Sequence, residues 1–368
     1  MEKIKILEII PSLSLSNGVA AYITNYYKSI DRSKFEFTFL VVRNREDKGR
    51  YKELLELGAK IDELYLDTNL WNYSKKVDNY FKNNKFDIVH CNVANLAFIF
   101  LKYAKKYGIN SRIIHSHATV SSDKLLNRIR NDLLISVGIK YANVYFACSN
   151  AAGRAMFSKK DFYVVNNAIN YDLYKFNSII RDEYRKKLDL EGKIVIGTVG
   201  RYMYQKNQKY LLEIMKELVK KNQNYVALII GGGPLENELN ELIELYNLKN
   251  NVILLGNRDD VQKLYNIFDI FVLTSLFEGL PVVGIEAQIN GLKCIFSKNI
   301  TSEVDISGEC TFLDIKSSSI SSWVEKLNEI NENHHLNKKL ENAYDIKYSS
   351  KKLEELFIKL MCGDKIEE

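Results

Sequence analysis

Short apolar runs alternate with longer amphipathic stretches along most of this chain. Residues 4–10, 35–42, 61–66, 86–90, 112–115 and 144–148 read as strands with helical segments between them. Such alternation predicts an α/β protein built on a doubly wound parallel sheet. The pattern stalls over the polar residues 164–170, which suit a turn. A helical run at 181–188 then leads into a fresh series of strands at 194–199, 226–230, 252–255, 270–273 and 293–296, which predicts a second sheet of the same kind. The boundary falls near Ile169, giving domains 1–169 and 170–350, followed by a last helical run over 351–360. A length of 368 residues suits two ordinary domains.

Candidate chemistry concentrates after the run 270–273, where Thr274, Ser275, Glu278, Gly279, Leu280, Pro281, Val282, Glu286 and Gly291 follow. Proline is tolerated in a first turn, so Pro281 predicts a helix start and Gly291 its end. A helix start just past the end of a parallel strand offers free backbone N–H groups and the positive end of the macrodipole, which favour a phosphate. Glu286 falls roughly 8 Å along the helix axis from Pro281, whereas Glu278 precedes the first turn, so two carboxylates bracket the anion site. Acids there repel a phosphate unless they serve hydroxyl groups on either side, as a sugar joined through a diphosphate to a ribose provides. Many charged helix faces contain acid pairs at this spacing, and that plainer reading stays open until other motifs are counted.

Glu278 and Glu286, eight positions apart with Gly and Pro between, resemble the motif of the retaining glycosyltransferases of family 4, glycosyl transferases group 1. The resemblance implies the GT-B fold, two Rossmann-like domains facing across a cleft. Residues 1–169 would bind the acceptor and residues 170–350 the nucleotide-sugar donor, with a terminal helix, about 351–368, packing back on the first domain. It also implies that Glu278 holds donor-sugar hydroxyls, that Glu286 holds the ribose, and that the helix start at Gly279, Leu280, Pro281 and Val282 takes the diphosphate.

Other strand-end loops add to this. Gly200-Arg201 and, five positions past the arginine, Lys206-Asn207 follow the first strand of the second domain. A planar fork of donors and a point charge could together clamp a diphosphate and neutralise charge on a leaving nucleotide, although solvated surface cations are the plain alternative. The pair resembles the family's Gly-Arg, Lys-Asn motif. Gly231-Gly232-Gly233-Pro234 is no dinucleotide fingerprint; Gly232 and Gly233 read as backbone lining the cleft, with Pro234 opening a helix. Asn257 and Arg258 resemble the family segment whose backbone meets the nucleotide base, and Thr274 and Ser275 are candidate hydroxyl donors to phosphate. In the first domain, Asn17 and Gly18 occupy the place of the family's glycine-rich loop, with Asn17 standing where a first glycine is usual; a plain turn before the helix of residues 20–30 is the alternative. His115-Ser116-His117 resembles the family's histidine segment. His117 is the better match for the residue near the reacting carbon, with His115 one alternation away on the same face. His90 reads as a loop-end hydrogen bonder, and His334 and His335 as solvent-exposed.

A net charge of +6, from 52 basic and 46 acidic residues, suits phosphate-bearing ligands or an anionic membrane and falls short of a nucleic-acid signature. Five scattered cysteines without a Cys-x-x-Cys indicate neither a disulfide framework nor a zinc site, which fits the cytosol. No run approaches the roughly 20 apolar residues that span a bilayer, and none resembles a signal peptide. The segment from Lys124 to Arg130 suits either a peripheral helix on the inner face of the cell membrane or an ordinary solvated one.

Together these features predict a retaining hexosyltransferase using a nucleotide diphosphate sugar, with uridine the expected base. The acceptor is a glycan hydroxyl, with a lipid-linked saccharide of capsule, exopolysaccharide or other envelope glycan synthesis as the common case among similar proteins. No cofactor or metal is expected, since the chain has no Asp-x-Asp to hold a cation beside a diphosphate. A GT-B-fold nucleotide-sugar epimerase and a non-catalytic nucleotide-sugar-binding subunit are the alternatives; a hydrolase using the two glutamates as acid and base fits less well, because both flank an anion site.

Overall fold

The computed structural model describes residues 2–15, 17–42, 49–122, 124–330, 340 and 342–362. His334 and His335 lie outside the described residues. The chain divides into two compact units, Met1–Ile169 with Asn342–Glu368, and Asn170–Glu341.

The first unit is a seven-stranded sheet in the order β3-β2-β1-β4-β5-β6-β7. Its strands are β1 (Ile4–Ile10), β2 (Phe35–Val41), β3 (Lys60–Glu63), β4 (Ile88–Cys91), β5 (Ser111–Ser116), β6 (Val144–Ala147) and β7 (Tyr163–Val164), all parallel. The central strands are buried on both faces, which is why β1, β2 and β4 read as nearly continuous apolar runs. One face packs Phe37 and Phe39 against Tyr27 of the helix Gly18–Ser29, and the other is covered by Tyr73 and Phe81 of the helix Leu70–Asn83 and Phe100 of the helix Ala97–Lys106.

The second unit holds a six-stranded parallel sheet, order β10-β9-β8-β11-β12-β13. It comprises β8 (Ile194–Val199), β9 (Tyr225–Ile230), β10 (Val252–Gly256), β11 (Ile270–Leu273), β12 (Lys293–Ser297) and β13 (Thr311–Leu313). In each sheet the strand order reverses once, between β1 and β4 and between β8 and β11. Ligands of doubly wound sheets bind beyond the carboxyl ends of the strands at such a reversal.

The sheets carry two edge strands that the apolar pattern does not predict. β7 and β13 have two and three residues, too short to show a period, and they exist because a neighbouring strand offers a ladder. Residues 342–350, expected in the second domain, belong to the first unit. A parallel bridge joins Ile169 to Asp345, with Ile169 N donating to Tyr344 O at 2.9 Å and Ile346 N to Ile169 O at 2.9 Å. The closing helix spans Ile346–Cys362 and lays Ile346, Leu353 and Phe357 into the core beside Phe35 and Phe37.

Candidate functional site

In the second unit, Glu278 is the centre of a network at the carboxyl ends of β8 and β11. Its Oε1 accepts from Lys206 Nζ at 2.6 Å and from Ser275 Oγ at 2.8 Å, and its Oε2 from Gln205 Nε2 at 3.1 Å. The residue is only 8% exposed, a depth at which a carboxylate needs a charged partner and further donors. Backbone lacing holds the two loops together: Leu276 N donates to Gln205 O, Asn207 Nδ2 to Thr274 O, and Thr274 Oγ1 to Asn207 O. Asn207 takes the left-handed conformation (φ 51°) that turns the chain from the Lys206 loop into the helix Gln208–Lys221. The Lys206 stem lies across Gly200, where an added Cβ would meet it at 3.2 Å.

This network revises one expectation. Thr274 and Ser275 each have a single hydroxyl proton, and both are given to protein acceptors, Asn207 O and Glu278, so neither hydroxyl is placed as a phosphate donor. They tie down the loop instead.

Pro281 caps the helix Val282–Ile289 with, among the described residues, no side chain bonded to its first-turn amides, and Gly279 and Leu280 before it are buried. Gly291 (φ 87°) follows the last turn. Glu286 is held by tyrosines: Tyr265 Oη donates to its Oε2 at 2.5 Å, and Tyr174 packs on Tyr265 with ring centres 5.7 Å apart. Burial raises the Glu286 carboxyl above the usual carboxylate range, against the lowering effect of hydrogen bonds from Tyr265 and Tyr174. Neither tyrosine is marked by a motif.

Arg201 is exposed and, among the described residues, makes no side-chain hydrogen bond or ion pair. Arg258, by contrast, grips Asp260 with two bonds, Nε to Oδ1 at 2.8 Å and Nη2 to Oδ2 at 2.7 Å, so its fork is already occupied. Asn257 lies against Gly232, where a Cβ would come within 2.8 Å of Asn257 Nδ2. Gly231 (φ 139°) and Gly233 (φ 158°) have a structural cause as well: an added Cβ would stand 2.2 Å from Gly200 O and 2.5 Å from Tyr202 O. Their close approach sets the position of the Gly200-Arg201 loop. Pro234 does not open the next helix directly; that helix runs Glu236–Leu245.

In the first unit, Asn17 is not left-handed. Its backbone is extended (φ −93°), and its Oδ1 accepts from Val19 N at 2.9 Å and Ala20 N at 3.1 Å, a side-chain cap on the helix Gly18–Ser29. Gly18 has an ordinary negative φ, and a Cβ there would meet nothing within 4 Å, so the fold itself does not demand glycine.

His90 and His115, both buried, and the partly buried His117 form one set at the ends of β4 and β5. His90 Nδ1 lies 2.9 Å from Glu8 Oε1, and His90 Nε2 lies 2.9 Å from His115 Nδ1. Asn92 Nδ2 donates to Glu8 Oε2 at 2.9 Å, and Asn92 Oδ1 pairs with His117 Nε2 at 2.8 Å. The His115 and His117 rings stack with centres 4.0 Å apart, and Tyr22 packs against both. Among the described residues, His115 Nε2 and Tyr22 Oη are buried without a hydrogen-bond partner. Burial, with His117 and His90 alongside, holds His115 well below the usual imidazole range; burial and His90 push His117 down to about 3. His90 is thus part of a network rather than a plain loop-end residue. Glu8, the acid that joins both branches, carries no motif; it is one polar position inside the apolar run of β1. A pocket of about 340 Å³ opens here, lined by Asn92, His115, His117, Thr119, Ser121 and Asn131 among others. A larger one, about 450 Å³, lies at the opposite end of the second sheet's strands, where Arg181 and Arg185 are committed to Asp269 and backbone carbonyls.

Two parallel-sheet Rossmann-like units with these strand-end clusters are the GT-B architecture. A solved structure of HepE from Anabaena in complex with UDP and glucose superposes with a TM-score of 0.80 at 16% identity, covering 96% of this chain and 99% of that one. The family model of the glycosyl transferases group 1 matches residues 180–345. EpsF of Bacillus subtilis (strain 168), which carries a provisional glycosyltransferase name, is 31% identical over 88% of this chain and 86% of its own. The Escherichia coli UDP-Gal:alpha-D-GlcNAc-diphosphoundecaprenol alpha-1,3-galactosyltransferase is 32% identical over 54% of each chain. The chain belongs to the glycosyl transferases group 1, and it is a glycosyltransferase.

Proposed function

We propose that the protein transfers a hexose-type sugar, with retention, from a uridine diphosphate donor to a hydroxyl of a lipid-linked saccharide in capsule, exopolysaccharide or other envelope glycan synthesis. The observation that carries this reading is the Glu278 network, a carboxylate fixed by Lys206, Ser275 and Gln205 immediately before a helix start whose first turn no side chain caps among the described residues. Glu278 holds donor-sugar hydroxyls, Glu286 the ribose, and the helix start from Gly279 to Val282 the diphosphate. Arg201, uncommitted among the described residues, and Lys206 offset charge on the leaving nucleotide. Gly232, Gly233, Asn257 and Arg258 border the base through backbone. In the first unit, His117, His115, Gly18 and Asn17 face the reacting sugar and the acceptor. A uridine donor and a lipid diphosphate acceptor are supported by the name of the Escherichia coli relative.

With Arg201, Lys206 and the helix start supplying positive charge, no divalent metal or other cofactor is needed. Peripheral contact with an anionic membrane is supported by the helix Leu125–Ile139, on which Leu125, Leu126, Ile129 and Leu133 are each more than half exposed beside Lys124 and Arg130. No helix among the described residues is long and apolar enough to cross a membrane.

The test is a screen of nucleotide sugars for acceptor-dependent release of nucleoside diphosphate, with a membrane extract as acceptor and chelator in excess. The anomeric configuration of the product is then read by NMR. Release of UDP with chelator present and an unchanged anomeric configuration supports the proposal. Turnover of a different nucleotide sugar, dependence on magnesium or manganese, or inversion would each overturn its part.

A further inference from the structure

The buried set in the first unit has a logic that hydrogen-bond chemistry makes explicit. A carboxylate only accepts, so Glu8 Oε1 requires a proton on His90 Nδ1. A singly protonated His90 then presents a bare Nε2, which requires a proton on His115 Nδ1 and leaves His115 Nε2 as a lone pair. On the other branch, Glu8 Oε2 takes the Asn92 amide protons, which turns Asn92 Oδ1 toward His117 and requires a proton on His117 Nε2. His117 Nδ1 is then the bare nitrogen.

We propose that Glu8 is a positioning residue that fixes the tautomers of both His115 and His117, so that the two stacked rings present hydrogen-bond acceptors, Nε2 of one and Nδ1 of the other. Three observations support it. Glu8, His90, Asn92 and His115 are all buried, so solvent does not supply competing partners. Each of the four links is 2.8–2.9 Å long. The chain of required protons ends on His115 Nε2, which is the ring nitrogen that has no partner among the described residues. Both rings line the pocket, His117 only partly buried, and a bare ring nitrogen there fits a ligand that donates a hydroxyl proton, as a sugar does, and does not fit an anionic phosphate. This last step rests on the proposed transfer to a saccharide; the tautomer assignment does not.

Glu8→Gln is the discriminating change because it keeps shape and removes the symmetry of the carboxylate. A glutamine has one accepting and one donating end. If its oxygen faces His90, its amide opposes the Asn92 amide, Asn92 turns over, and His117 must carry its proton on Nδ1. If its amide faces His90, the relay reverses and His115 carries its proton on Nε2. Either way one ring inverts.

The experiment is 15N NMR of histidine-labelled protein, which distinguishes protonated from bare ring nitrogens, with signals assigned by single histidine variants. The expected wild-type result is His115 protonated at Nδ1 and His117 at Nε2; E8Q inverts one of them. Asn92→Leu, which cuts only one branch, releases His117 and leaves His115 as it was, and it serves if E8Q does not fold. In turnover, E8Q lowers kcat by about 10²-fold, as for a lost positioned group, while KM for the nucleotide sugar changes little. A wild-type His115 protonated at Nε2, a doubly protonated His90, or a folded E8Q that keeps both tautomers overturns the proposal. Correct tautomers in a protein without transferase activity would instead overturn the proposed function alone.

Discussion

Glu278 and Lys206 meet in one ion pair, so each substitution disturbs the other residue as well as any ligand. Glu278→Ala leaves the Lys206 ammonium, which is mostly buried, without its carboxylate, a loss of about 1–3 kcal/mol that a lowered melting temperature should record. On the proposed roles, the same variant lowers kcat, whereas Glu286→Ala mainly weakens donor binding, because a ribose contact is made in ground and transition states alike. Unchanged kcat and KM in both variants would remove the two glutamates from the site. The histidines give a pH prediction. Burial holds the folded pKa values of His115 and His117 below the ordinary 6.5, so the unfolded chain takes up protons first as the pH falls. Stability is therefore full above about pH 6.5 and declines from there toward pH 3, each unit of depression accounting for about 1.4 kcal/mol at most. Denaturant midpoints measured across this range should fall less steeply for His117→Asn than for the parent. Glu278 was legible because its neighbours in sequence announce it. Glu8, Tyr174 and Tyr265 were not, because their partners come from distant strands and helices, and a single acid in an apolar run looks like any other polar position.

At the level of elements, hydrophobic periodicity located the long strands and helices, and it failed where tertiary pairing creates a strand, as in β7 and β13. It also left the cause of the glycines open. Gly232 and Gly233 read as backbone lining the cleft, and the structure adds that Gly231 and Gly233 let the end of β9 sit against Gly200 and Tyr202. Gly231→Ala places a methyl 2.2 Å from Gly200 O and forces a φ of 139° on a residue with a side chain. The expected result is a loss of about 2–4 kcal/mol in unfolding experiments, together with weakened nucleotide affinity as the Arg201 loop shifts. Asn17→Ala is the milder case: removing the side-chain cap should cost about 1 kcal/mol, measured as a small drop in melting temperature.

For the whole molecule, the proposed membrane contact would give the excess of positive charge a place to act. The helix Leu125–Ile139 exposes leucines and isoleucine beside cations, so cosedimentation with vesicles containing anionic lipid should be strong at low salt, weaken at high salt, and fall several-fold in Leu126→Glu combined with Ile129→Glu. Binding that ignores both salt and these substitutions would remove this helix from any membrane role. The two-sheet organisation was readable because alternation restarts after a polar pause. The return of the chain rested on the family resemblance and not on periodicity, and it begins earlier than expected: the backbone bonds at Ile169, the bond from Asn166 Nδ2 to Ala343 O and the burial of Ile346 place residues 342–350 in the first unit.

That return makes the first unit discontinuous in sequence, with the whole of the second inserted between its main body and the helix Ile346–Cys362. Domains ordinarily fold in the order in which they are synthesised, amino-terminal first. Here the ribosome delivers Phe35 and Phe37 early and their partner Phe357 more than three hundred residues later, so the second unit has its complete sequence before the first does. A nascent chain stopped before Ile346 should bind a hydrophobic dye and yield to protease in the first unit while the second resists; release of the full-length chain should protect both. The part of the protein that is made first is the last to be finished.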